Sequence, residues 1–237
     1  HHISGALASL ENQHIGFEEF EVIVVNDGST DDTRYVIEEF SDRTLMNIHI
    51  HNCENNGVST ARNIGIHNAR GDYIYFLDGD DYVSPNFLTA MKKKIEQFRP
   101  ELLVSSYTKI VKSNPFKVFF NDFSDLAPEQ FKFDYLVGRY AINMCTLMFR
   151  TANICKWGLE FDPSTRYGED VEFYQKFLFR TNLVVSVSDA MFYYVERQES
   201  ASFRRVGRGR EESLIALNRV REMLNSSCQY SLLKAVY

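Results

Sequence analysis

The 237-residue sequence lacks the features that mark several large classes of protein. No apolar run approaches the roughly 20 residues of a membrane-spanning helix, and no signal-peptide core opens the chain. Its four cysteines, Cys53, Cys145, Cys155 and Cys228, form no C-x-x-C pair and no disulfide-dense pattern. We therefore expect free thiols, no structural zinc site and a cytoplasmic protein, which could also associate peripherally with the inner face of the membrane.

Positive charge is also scarce, since 26 lysine and arginine residues stand against 32 aspartate and glutamate residues, a formal net charge of −6. Proteins that bind nucleic acid need a basic surface to displace counterions from the phosphates. The composition therefore argues against a nucleic-acid partner, and any anionic substrate must be met by a local group of residues. With 44% apolar residues, the chain can still bury a substantial core.

Neither an internal repeat nor a clear linker divides the chain, so we expect one domain over residues 1–237. Predicted strands alternate with predicted helices from Glu21–Asn26 to Leu102–Ser106. This β-α-β-α order predicts an α/β fold with a mostly parallel central sheet and helices on both faces. The pattern weakens between residues 109 and 138, and a closing helix is predicted around Leu214–Leu224.

The most informative stretch is Asp78-Gly79-Asp80-Asp81, which directly follows the apolar strand sequence Tyr73–Leu77. Three carboxylates this close repel one another and raise one another's pKa unless a cation lies among them. Clustered hard oxygen ligands suit Mg²⁺ or Mn²⁺, which take one or two carboxylates and let substrate phosphates complete the shell. A solvated acidic turn is the alternative, because Asp and Gly are ordinary turn formers.

Three further segments accompany this acidic turn, whose wider sequence is FLDGDD at residues 76–81. They are VNDGSTDDT at 25–33, NGVSTARNIG at 56–65 and GED at 168–170. Together the four motifs resemble family 2 inverting glycosyltransferases with the GT-A fold, of the type that builds bacterial polysaccharides. The resemblance covers about residues 3–205, and four ordered motifs are far more specific than any one of them.

The resemblance implies a role for each matching position. Asp27 would meet the nucleobase of the donor, Arg62 would order the nucleotide pocket, and Asp78 would contact the ribose or the metal. Asp80 would hold the divalent ion, Mn²⁺ or Mg²⁺, that bridges the diphosphate, and Asp170 would be the catalytic base. It also implies a nucleotide-sugar half, an acceptor half and a C-terminal helical extension, at about residues 1–106, 107–205 and 206–237.

Each of these positions has a structural alternative. Asp27 could shape a turn, Arg62 lies off the apolar face of its predicted helix and could form a surface ion pair, and Glu169 and Asp170 could complement a helix dipole. Without the resemblance, the structural interpretation would be preferred everywhere except at the acidic turn.

The activity implied by the resemblance is transfer of a sugar from a nucleoside-diphosphate sugar, with a UDP-sugar as the expected donor. The acceptor would be a hydroxyl of a glycan or a lipid-linked glycan, in cell-surface glycan synthesis, with inversion at the anomeric carbon. Two alternatives stay open. A nucleotidyltransferase could use a similar sheet and Mg²⁺ site, although no glycine-rich basic phosphate loop is visible near the first strand. A non-catalytic nucleotide-sugar-binding module is the second alternative.

The sequence departs from the family pattern at two places. The family opens with a strand that lines the nucleobase site, whereas this chain starts at the helix expected after it, Ile3–Gln13, so we expect a longer natural protein. Some relatives carry a metal-binding histidine where this sequence has Arg197. Arg197, Arg204 and Arg205 are therefore candidates to neutralise the diphosphate directly, with a solvated basic loop as the alternative.

Overall fold

A computed structural model describes residues 2–111, 114–123, 126–196 and 208–226. The helices are α1 (Ile3–Glu11), α2 (Thr33–Arg43), α3 (Val58–Asn68), α4 (Phe87–Phe98), α5 (Pro128–Leu136), α6 (Thr151–Trp157), α7 (Glu169–Leu178) and α8 (Arg208–Ser226). The strands are β1 (Glu21–Asp27), β2 (Asn47–Cys53), β3 (Tyr73–Tyr75), β4 (Tyr82–Val83), β5 (Leu102–Val111), β6 (Asn114–Phe119), β7 (Leu147–Arg150) and β8 (Val184–Glu196). Among the described residues, no helix is both long enough and apolar enough to cross a bilayer.

The strands form two sheets, one small and one large. In the small sheet β1 and β2 run parallel, with Glu21 opposite Asn47 and Asp27 opposite Cys53. The large sheet has the order β3-β7-β5-β8-β4, with β6 also paired to β5. Within it only β5 and β8 are parallel, and the other four pairs are antiparallel.

The α/β fold is as predicted, whereas the prediction of a mostly parallel sheet is wrong for the large sheet. Strand β7, from the second half of the chain, lies between β3 and β5 and runs antiparallel to both. Local sequence pattern indicates which residues form strands, but neighbours are chosen by tertiary packing, so the alternation along the chain did not reveal this insertion.

Strands β1 and β3 belong to different sheets, and no described strand joins them. Side chains connect the two sheets instead. The Glu21 carboxylate, at the start of β1, accepts the backbone N–H groups of Arg70 and Gly71, at 2.7 and 3.1 Å, just before β3. Leu10 of α1 packs against the apolar clusters of both sheets. These contacts bring the starts of β1 and β3 to the same region of the molecule.

A cluster of phenylalanine rings joins the end of β3 to α7. Phe161 stacks on Phe173 with ring centroids 4.1 Å apart, and Phe76 meets both rings edge-on at 5.5 and 6.1 Å. Phe76 follows β3 and Phe173 lies on α7, so the cluster links the two halves of the chain. Burying one such ring stabilises the fold by roughly 1.5–3 kcal/mol, and Phe76 lies two residues before the acidic turn, so the cluster places α7 near that turn.

Candidate active site

Asp27 connects the end of β1 to the start of α3. Its Oδ1 accepts the N–H of Asn56 at 2.8 Å, and its Oδ2 accepts the N–H of Gly57 at 2.9 Å. The carboxylate therefore lies at a helix N-terminus, where the helix dipole favours negative charge. Gly28 allows this close approach, because it has φ +68° and a Cβ there would lie 2.6 Å from the Asn55 nitrogen.

The acidic turn is closed by a hydrogen bond from the Asp81 N–H to the Asp78 carbonyl at 3.0 Å. The three carboxylates of this turn differ in burial and in their contacts. Asp81 is buried, and its Oδ1 accepts the Val195 N–H at 2.8 Å, which ties the turn to β8. By contrast, the Asp78 side chain is 47% exposed and Asp80 is half-buried. Asp81 thus serves the fold, and Asp78 and Asp80 remain accessible to a ligand.

A possible metal-binding group lies beneath this turn. Ligand atoms of Asp78, Asp81 and Cys145 fall within 4.8 Å of one another, and Asp80 joins no such group of three among the described residues. Burial, followed by the negative charge of Asp78, raises the pKa of the Cys145 thiol well above its ordinary value. A neutral thiol suits a hard divalent cation poorly, whereas carboxylate oxygens suit it well. Of this group, the Asp78 and Asp81 carboxylates suit such a cation and the Cys145 thiol does not.

Arg62 joins the acidic turn to the first turn of α7. Its Nη2 lies 3.2 Å from Asp78 Oδ1 and its Nη1 lies 3.3 Å from Glu169 Oε1. The side chain is only 12% exposed, and its guanidinium lies over the Phe161 ring at 5.3 Å. Burial by itself lowers the pKa of Arg62, but the negative charge of Asp78, and then of Asp170 and Glu169, raises it overall. Arg62 therefore forms ion pairs, as its structural alternative expected, but its own side chain is largely covered.

Asn63, the residue after Arg62, connects α3 to the segment that precedes α7. Asn63 Nδ2 donates to the Phe161 carbonyl at 2.8 Å, and Asn63 Oδ1 accepts the Phe161 N–H at 2.8 Å. Sequence reasoning missed this residue, although its place in the Ala-Arg-Asn motif was a usable signal. It also missed that Glu169 is the second partner of Arg62, because 107 residues separate them and no local pattern links them.

Asp170 lies in the first turn of α7, behind Gly168, which caps the helix with φ +84°. Its Oδ1 accepts the N–H of Val171 at 2.8 Å, and the residue is half-buried. Its neighbour Glu169 differs, because the Glu169 carboxylate is paired with Arg62. The two adjacent carboxylates at the start of α7 therefore have different hydrogen-bonding partners.

A cleft of about 530 Å³ separates the two halves of the chain. The start of α3, residues 55–59, forms one wall, and Pro163, Thr165 and Arg166 form the other. Amide, hydroxyl and guanidinium groups share this lining with apolar groups such as Val58 and Pro163. Of the remaining predicted site residues, Arg197, Arg204 and Arg205 lie outside the described residues.

The fold and site together define a class of protein. The structure aligns with the crystal structure of Staphylococcus aureus TarS 1-349 in complex with UDP-GlcNAc, with a TM-score of 0.81 and 23% identity, over 94% of this chain and 63% of that one. The chain has the α/β GT-A fold. A model of the family described as Glycosyl transferase family 2 matches residues 2–155, and the chain belongs to this family.

Two curated relatives extend over most of the chain. The Staphylococcus aureus poly(ribitol-phosphate) beta-N-acetylglucosaminyltransferase TarS is 29% identical over 84% of this chain. The Bacillus subtilis minor teichoic acid biosynthesis protein GgaB is 28% identical over 85% of it. The aligned parts make up only 34% and 22% of these relatives, so the chain spans about a third of one and less than a quarter of the other.

Proposed function

We propose that this protein transfers a sugar from a UDP-sugar to an acceptor hydroxyl, with inversion at the anomeric carbon. The contact that carries the proposal is the two-sided ion pair of Arg62, which joins Asp78 on the donor side to Glu169 beside Asp170. Family membership supports the reaction class. The names of the two relatives refer to poly(ribitol-phosphate) and to teichoic acid biosynthesis. Those names favour a glycan or lipid-linked acceptor in cell-surface glycan synthesis.

On the donor side, we assign Asp27 to the nucleobase and Asp78 to the ribose or the metal. Asp27 is held at the start of α3 by two backbone N–H groups, and each carboxylate oxygen retains capacity for a further hydrogen bond. Arg62 orients Asp78 and offsets part of the negative charge of the carboxylates beside which the diphosphate would lie. Arg197 and Arg204 are assigned to the same diphosphate on the strength of the sequence alone.

We assign Asp78 and Asp80 as the residues that would hold Mn²⁺ or Mg²⁺. Both carboxylates are accessible, whereas Asp81 is buried against β8. When bound, such an ion would supply Lewis-acid stabilisation of the departing diphosphate. The single domain over residues 1–237, the cytoplasmic location and the peripheral membrane contact stay predictions of the sequence.

On the acceptor side, Asp170 takes the proton of the attacking hydroxyl. Attack then comes from the face opposite the departing diphosphate, which gives inversion. Arg62 forms a direct ion pair with Glu169, whereas the Asp170 carboxylate accepts the Val171 N–H, so we assign the two adjacent carboxylates different tasks. The cleft between residues 55–59 and the loop before α7 offers the acceptor an approach.

A nucleotide screen tests this function. We expect UDP with Mn²⁺ to raise the melting temperature, because a ligand at 100 times its Kd stabilises by about 2.7 kcal/mol, and we expect slow hydrolysis of at least one UDP-sugar. ADP, GDP and CDP serve as matched controls. Equal shifts for all four diphosphates, or nucleotide turnover that releases pyrophosphate, would contradict the proposal.

The Asp80→Asn variant tests the metal assignment. It should lose most of the Mn²⁺-dependent part of the UDP-induced thermal shift and keep the melting temperature of the unliganded protein, because it relieves repulsion within the acidic turn. Asp42→Asn, an exposed carboxylate on α2, is the matched control and should behave as wild type. Equal UDP shifts in wild type and Asp80→Asn, with Mn²⁺ present, would overturn the assignment.

A further inference from the structure

Helix α8 is held against the loop that precedes α7, the helix that carries the proposed base. Arg219 of α8 grips the Glu172 carboxylate of α7 at two points, with Nε–Oε1 at 2.8 Å and Nη2–Oε2 at 2.6 Å. The same Nη2 lies 3.3 Å from Asp162 Oδ2 and also donates to the Thr165 hydroxyl. One guanidinium thus holds α7 and two points of the loop 162–168 together.

Two further contacts fix the end of this loop against α8. The Arg166 N–H donates to Glu212 Oε2 at 3.2 Å, and a Cβ on Gly168 would lie only 3.1 Å from Ser213 Cα. Val220 and Leu224 of α8 bury themselves against Phe179, just beyond the end of α7. The start of α7 is therefore enclosed by α8, and Asp170 follows the enclosed loop by two residues.

The same loop forms one wall of the polar cleft, through Pro163, Thr165 and Arg166. Thr165 is both a cleft residue and a partner of Arg219. Displacement of α8 would move the cleft wall and the first turn of α7 together. None of the α8 residues in this network lies in the 2–155 segment that matches the family model.

We infer that Arg219 is a positioning residue for Asp170. Its two-point grip on Glu172 is a geometry that an arginine fork can make and a lysine cannot. The grip sets where Asp170 stands relative to the acceptor hydroxyl and makes no contact with the donor residues Asp27, Asp78 or Asp80. This inference rests on the proposed function, because positioning matters only if Asp170 takes a proton.

Arg219→Met is the test, with Arg219→Lys as the conservative variant and Arg221→Met, an exposed arginine on α8, as the control. Lys176 Nζ still lies 2.6 Å from Glu172 Oε1, so Glu172 keeps a cation when Arg219 is lost. We expect kcat for a UDP-sugar to fall about 10- to 100-fold in Arg219→Met, the scale expected when a reacting group is misplaced by about 1 Å. The Kd for UDP should stay within about two-fold of wild type, and Arg219→Lys should give an intermediate kcat.

Hydrogen exchange gives a readout independent of turnover. The amides of residues 162–170 should exchange faster in Arg219→Met than in wild type or Arg221→Met, because the loop has lost its tether. An unchanged kcat, or a parallel loss of kcat and UDP affinity, would overturn the positioning role. A wild type that turns over no UDP-sugar would refute the proposed function and this role with it, whereas unaltered exchange would refute the tether alone.

Discussion

Replacing Asp170 by asparagine is expected to lower the rate of donor turnover by about 10²–10⁴, the contribution of a positioned general base. The amide keeps the shape of the carboxylate and can still accept the Val171 N–H, but it takes no proton at neutral pH. UDP affinity should barely change, because the proposed donor residues Asp27, Asp78 and Asp80 lie in the first half of the chain. The rate of UDP release and the calorimetric Kd for UDP measure the two effects separately.

Glu169→Gln is the matched comparison for this variant. Its carboxylate lies one residue away but is paired with Arg62 at 3.3 Å, so its loss should reduce stability more than turnover. Loss of UDP binding in Asp170→Asn would mean that Asp170 holds the fold or the donor. Turnover near the wild-type rate in Asp170→Asn, together with a collapse in Glu169→Gln, would move the base to Glu169.

Replacing Arg62 by methionine is expected to destabilise the protein by about 3 kcal/mol, the low end of the range for breaking a buried ion pair. The low end applies because Asp78 is 47% exposed and water can partly take over its solvation, whereas Glu169 is 11% exposed. UDP affinity should fall as well, since the variant removes the fixed charge that orients Asp78. Urea denaturation and calorimetry give the two quantities.

Arg34→Met is the control, because Arg34 pairs with Glu38 at 2.7 Å on an exposed face of α2. Exposed pairs of this kind contribute about 0.3–0.5 kcal/mol. Adding Glu169→Gln to Arg62→Met should recover part of the lost stability, because it removes the stranded carboxylate. If Arg62→Met lowers the free energy of unfolding no more than Arg34→Met does, the ion pairs of Arg62 contribute nothing beyond an exposed pair.

The sequence by itself determined where the acidic residues of the proposed donor half lie along the chain. Strand β1 ends in Asp27, and the strand sequence that begins at Tyr73 runs directly into three carboxylates around one glycine. Because grouped carboxylates repel one another unless a cation lies among them, the sequence marked these strand ends as candidate binding positions. These signals are local and can be read from the sequence, because side-chain periodicity and turn chemistry depend on neighbours along the chain. The α/β class and the family resemblance followed from the same segments.

Only the tertiary structure decided what lies between the two halves. Arg62, off the apolar face of its predicted helix, is nearly buried because Phe161 and Glu169, about a hundred residues away, cover it. The antiparallel β7 between β3 and β5, and the grip of Arg219 on Glu172, are likewise long-range pairings. Periodicity shows which face of an element is apolar, but it carries no information about which distant surface covers that face. The ion pairs of Arg62 and the contacts of Arg219 both depend on that long-range arrangement.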